Sequence, residues 1–121
     1  MLADALYNTL KTILTAYPVI GAPDAAAPFC TYAVEPTPIR TKDGIVGYTQ
    51  KVRIAIVDDD IDAIETNSNS IRAAITSLDG TTTDSTIINM VLLNFESGSI
   101  FNQDFNIFQN TLEFTFDTDT R

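Results

Sequence analysis

The sequence predicts an α+β domain: a four-stranded, mostly antiparallel sheet with two helices packed on one face, in the order α-β-β-α-β-β, with a projecting hairpin arm. Three observations predict it. Two stretches carry apolar residues at three- and four-residue steps, the period of a helix with one buried face. Four runs alternate, or concentrate β-branched and aromatic residues, as strands do. An Asp43-Gly44 pair between two of those runs marks a hairpin turn. Laying both helices on one face of the sheet is the simplest packing of these elements.

The first helix is predicted over 2–17, where Leu2, Leu6, Leu10, Ile13, Leu14 and Tyr17 form one stripe and Pro18 stops it. Val19 to Pro28 reads as a loop. A strand follows at 29–35 and is expected to end at Pro36 and Pro38, which cannot donate to a ladder. Residues 36–48 then form a projecting arm or loop, with Ile39, Arg40, Lys42, Asp43, Ile45, Val46 and Tyr48 as its candidate contact residues. An exposed turn that carries apolar side chains more often docks on something than points into water. Tyr48 to Val57 alternates, with Tyr48, Val52, Ile54 and Ile56 on one face and Lys51 and Arg53 on the other.

Asp58-Asp59-Asp60 precedes the second helix, predicted over 60–78, with Ile61, Ile64, Ile71, Ala74, Ile75 and Leu78 on its buried side. Asn67, Ser68, Asn69 and Ser70 weaken its middle by propensity, and Asp79-Gly80 closes it. The strand over 87–96 is apolar in both alternating sets: Ile88, Met90 and Leu92 in one, Ile87, Val91, Leu93 and Phe95 in the other. Such a strand is covered on both faces, by the helices on one and by a neighbouring subunit on the other. Val91, Leu93 and Phe95, with Ile100 and Phe101 in the following bend, are therefore candidate interface residues. Phe95 and Phe101 read equally well as core. The last strand, 106–117, puts Phe108, Leu112, Phe114 and Phe116 inward, and 117–121 reads as a polar tail.

With 121 residues the chain is expected to be one domain, 1–121, able to bury about two-thirds of its unfolded surface. Its net charge of −9 lacks the basic footprint that holds nucleic acid. The plain reading of that charge is solubility. A repelled phosphate backbone also lets DNA pass without sticking. Asp4 stands where a secretory signal needs positive charge, and no apolar run nears the roughly 18 residues of a membrane span. The expectation is a protein made in the cytoplasm, used there or built into a particle, with no membrane contact.

The histidine count is zero. That removes serine-type triads, Cys-His dyads and nearly all zinc catalysis. The single cysteine, Cys30, lies in an apolar run and reads as a small core hydrophobe. No phosphate-cradling glycine motif occurs. The acids at 58–65 lack the spacing of a calcium loop, and helix capping accounts for them. The expectation is no enzyme, no catalytic residue, no cofactor and no metal.

The segments LADALYNTLKTIL, APFCTYAV, TKDGIVGY, QKVRIAIVDDD and NTLEFTF occur in this order. In that order and length the chain resembles the tail-terminator or tail-completion proteins of tailed bacteriophages, also called tail-to-head joining proteins. The resemblance covers nearly the whole chain and rests on no invariant motif. It implies a small sheet with two helices on one side and a homohexameric ring at the head-proximal end of the tail tube. That ring would stop tube polymerisation and offer the surface for head-to-tail joining. Its partners would be the tail-tube protein and the head-completion or connector protein, with DNA passing through the lumen. A different class of function also fits a small acidic domain: an adaptor or inhibitor that binds a host protein. Its carboxylates bunch at 58–65 instead of lining one face, which counts against DNA mimicry.

Overall fold

Leu2, Ala5, Leu6 and Leu10 are the buried stripe of a first helix, α1 (Leu2–Leu10). The computed structural model describes residues 2–18, 28–42, 44–83, 86–103 and 106–120. After α1 come strands β1 (Ala16–Pro18), β2 (Phe29–Thr41) and β3 (Gly44–Asp58), then α2 (Ile61–Thr76). The chain ends with β4 (Thr82–Thr83), β5 (Thr86–Glu96), β6 (Ile100–Asn102) and β7 (Ile107–Thr120).

The expected four-stranded, mostly antiparallel α+β layer is not what forms. The described strands make a seven-stranded mixed sheet in the order β1-β2-β3-β7-β5-β4, with β6 beside β7 beyond the end of β5. It curls into a half-barrel. The mixing comes from β1, which runs parallel to β2 with Ala16 opposite Cys30. The predicted helix over 2–17 hid this strand. The helix stops at Leu10, where the Leu10 carbonyl takes the N–H groups of both Ile13 (2.9 Å) and Leu14 (3.0 Å). β-Branched Thr12, Ile13 and Thr15 then favour extended chain over another turn. Pro18 ends β1 on the sheet edge, where a missing donor costs no ladder bond.

The two prolines expected to end the next strand do not. β2 runs through both in unbroken register with β3, Pro36 opposite Gln50 and Pro38 opposite Tyr48. The Cys30 N–H points outward to the Thr15 carbonyl (2.9 Å). Pro36 and Pro38 share its parity, so their nitrogens also fall on the outer edge, where β3 asks for no donor. At the other end, the predicted polar tail is strand: β7 continues to Thr120, and Thr118 is buried, accepting a bond from Gln50 Nε2 (2.7 Å).

The core lies between the helices and one face of the sheet. Val52, Ile54 and Ile56 of β3, Leu112, Phe114 and Phe116 of β7, and Cys30, Ile88 and Val91 meet Leu6 and Leu10 of α1 and Ile64, Ile71 and Ile75 of α2. Ile61, expected on the buried side of α2, is exposed. Asp60 caps α2, its carboxylate accepting the Asp62 N–H (3.1 Å). The polar middle of α2, unfavourable by propensity, is what fastens it to the sheet. Buried Ser68 accepts from Asn110 Nδ2 (3.0 Å), and Asn67 donates to the buried carboxylate of Asp58 (3.3 Å).

Candidate interaction surface

The sheet face away from the helices is open. Across β3 and β7 it is polar: Arg53 pairs with Glu113 (2.7 Å), next to Lys51, Thr111 and Thr115. A shallow groove of about 630 Å³ runs over this band, between Ala33 and Glu35 of β2, Lys51 and Arg53 of β3, and Asn94 of β5. Of the acids at 58–65, Asp58 and Asp60 are occupied at the start of α2, because Asp58 accepts the Asp60 N–H (3.2 Å) and Asp60 in turn caps the helix. Among the described residues, no group of three or more His, Cys, Asp or Glu side chains stands close enough to hold a metal ion. Among them too, no helix is long and apolar enough to cross a membrane.

At the β5 edge the surface turns apolar. The β5–β7 ladder shifts register twice, between Ile88 and Met90 and between Leu93 and Phe95. Each shift leaves an asparagine, Asn89 or Asn94, as the extra residue of a bulge, and Asn94 Nδ2 turns to Thr115 Oγ1. The bulges re-sort the side chains. Ile88 and Val91 point to the core, opposite Thr118 and Phe116. Met90, Leu92 and Phe95 point to the open face, opposite Asp117, Thr115 and Glu113.

Of the residues expected at this interface, Val91 is a core residue, because the bulge at Asn89 sends it inward against Phe116. Leu93, Phe95, Ile100 and Phe101 are exposed, and Phe101 lies against Phe108 with ring centroids 5.0 Å apart. Met90 and Leu92 share the open face with Phe95 and Ile100 and were not foreseen there, whereas Leu93 and Phe101 are exposed on the helix side, opposite Phe114 and Phe108. Leu92, Phe95 and Ile100 are 52%, 51% and 58% exposed. The helices cover one face of this strand at Ile88 and Val91, as expected, and among the described residues nothing covers Met90, Leu92 and Phe95 on the other. Asparagine inside an otherwise apolar strand is the signal that marks the bulges.

The expected arm at 36–48 is shorter as a free element. Gln50 and Tyr48 are still paired to β7, at Phe116 and Thr118, so only the tip from Ile39 to Gly47 runs past the last β3–β7 pair. Ile39, Arg40, Lys42 and Ile45 are exposed there, and Tyr48 is half-buried at the root. Val46 lies on β3 without an opposite residue, since Ile39 pairs with Gly47 and Arg40 with Ile45. Asp43 lies outside the described residues.

A fastening network sits behind the patch. Arg72 Nε of α2 donates to Glu96 Oε1 (2.9 Å), and Asn110 Nδ2 donates to Glu96 Oε2 (3.1 Å). Burial pushes the Glu96 carboxyl up, but the bonds from Arg72 and Asn110 and the Arg72 charge together hold it below the usual range. Ser97 exchanges bonds with the Thr111 backbone (2.9 and 3.0 Å). The corner between β5 and β6 is thereby fixed, and both halves of the apolar edge keep one relative position.

No protein-family model matches the sequence, and comparison with curated proteins finds no relative. Among solved structures, the fold is similar to that of a chain in the virion of a native gene transfer agent particle. The TM-score is 0.67 at 13% identity, over 98% of this chain and 88% of that one. At that identity the likeness is one of fold.

Proposed function

We propose that this chain is a structural protein of a phage-like virion, forming a ring at the head-proximal end of a tail tube. There it stops tube polymerisation and offers the surface to which the head joins. The observation that carries this reading is the fold shared, over nearly the full length of both chains, with a component of a gene transfer agent virion. An apolar edge left open on the free chain supports it, since such a patch marks a contact with another protein. In this reading the partners are further copies in a homohexameric ring, the tail-tube protein below and the head-completion or connector protein above. DNA passes through the lumen without being held, which a chain of net charge −9 suits. The chain performs no catalysis and uses no cofactor.

Polymerising purified tail-tube subunits with and without this protein tests the reading. Capping predicts short tubes of uniform length carrying one ring of extra density at one end in electron micrographs. Tubes of unchanged length and bare ends would refute it.

A further inference from the structure

We infer that the ring contact is made by the hairpin tip of one copy seated on the β5–β6 edge of the next, a head-to-tail interface between copies of this chain. The inference rests on the ring reading above and adds which surfaces meet. It begins from a contrast between the two long edges of one sheet. The β2 edge is guarded: Pro36 and Pro38 withhold donors along it, as natural edges do to prevent strand pairing. The β5 edge has no such guard. Past Val91, whose N–H is taken by the Asp79 carboxylate (3.1 Å), no described strand lies along it, and residues 90–95 include no proline and no charge. Its two bulges are the edge's own protection, and an apolar edge without proline or charge is one that an assembled state can cover.

The make-up of the patch points to a protein partner. Met90, Leu92, Phe95 and Ile100 share the open face at 38–58% exposure, a row of large apolar side chains of the kind that marks a protein contact. The tip is the other unpartnered apolar feature, with Ile39 and Ile45 exposed. Its Arg40 and Lys42 are two of only seven basic residues in a chain of net charge −9, so the body of a second copy attracts it.

Within one copy the tip and the edge run in opposite directions. β7 stands between β3 and β5, and the tip leaves the sheet at the Thr118 end. The edge starts at Met90, beside Asp117, and runs back to Ile100 and Phe101, beside Gln109 and Phe108, so it leads away from the tip. Two different surfaces make a heterologous contact, the kind that closes into rings.

Complementation between two variants tests this. Ile39→Asp with Ile45→Asp disables the tip, and Leu92→Glu with Phe95→Glu disables the edge. All four positions are exposed, and unchanged thermal unfolding of each variant verifies its fold. Native mass spectrometry, alone and with tube ends present, should show the wild type as a closed ring and each variant weakened in self-association by on the order of 100-fold. Mixed, the variants should form a one-to-one pair that grows no further, because each supplies the surface the other lacks. A photocrosslinker at Ile45 should attach to residues 90–101 of a second copy. A wild-type ring whose mixed variants do not pair, or whose crosslinks fall elsewhere on a second copy or on a tube subunit, overturns this interface and leaves the ring reading standing. A wild type that stays monomeric even on tube ends overturns both.

Discussion

Cys30 lies fully enclosed between β1, β3 and the helices, and burial pushes its thiol up to about 12. At pH 8 such a thiol is roughly a thousandfold poorer in thiolate than a free cysteine. A disulfide reagent should therefore label native protein only as fast as it unfolds, which a denaturant series compared with the unfolding rate would reveal. Glu96 makes the opposite case, a carboxylate kept charged inside a network. Its pKa is held below that of the unfolded chain, so its contribution is complete above the unfolded value of about 4.3 and fades as pH falls through the lower, folded one. Both side chains of the Arg72–Glu96 pair are about a third exposed or less, which tempers the magnitude. Glu96→Gln should cost roughly 1 kcal/mol at pH 7 and less as the pH falls below the unfolded value, read from urea titrations across that range.

Among the elements, the arm root is the tightest joint. A Cβ added at Gly47 would lie 2.4 Å from Asp119 Oδ1 and 2.8 Å from the Thr118 carbonyl oxygen, so β3 and β7 close there only because the residue is glycine. Gly47→Ala should destabilise the protein by about 1–3 kcal/mol, and urea denaturation would measure it. The same strands explain what was legible in the sequence. α2, the β2–β3 turn at Gly44 and the inward set of β7 followed from period and turn chemistry, which are local. The sheet did not. β1 owes its existence to pairing with β2, and the prolines of β2 are harmless only because of which edge they face. Both facts depend on neighbours distant in sequence. The candidate patch was half legible for a related reason: strict alternation assigned Val91 outward, and two bulges, set by pairing with β7, shifted the faces. Leu93, Phe95, Ile100 and Phe101 survived the shift, while Met90 and Leu92 came to light only with the register.

Over the whole molecule, the core and the proposed assembly surface occupy different parts. The core is built from α1, α2 and the central strands, and none of its residues lies between Ile39 and Gly47. The tip contributes no pair to β7, whose ladder with β3 begins at Tyr48 opposite Thr118. Replacing Ile39–Gly47 by a two-residue Asn-Gly turn joins Pro38 to Tyr48, which already face each other, with the loop length that antiparallel strands prefer. Such a chain should unfold within about 1 kcal/mol of the parent, because the Pro38–Tyr48 pair closes the hairpin and the three β2–β3 pairs beyond it are all that the ladder loses. If the tip is the part that joins copies, the shortened protein should remain monomeric where the parent forms rings, and tubes polymerised in its presence should be as long as tubes polymerised alone. Sedimentation velocity and tube-length distributions, measured on the same preparation as the unfolding curve, separate the two effects. A shortened protein that still caps tubes would assign joining to the β5–β6 edge without the tip, and one that fails to fold would show the arm to be part of the core.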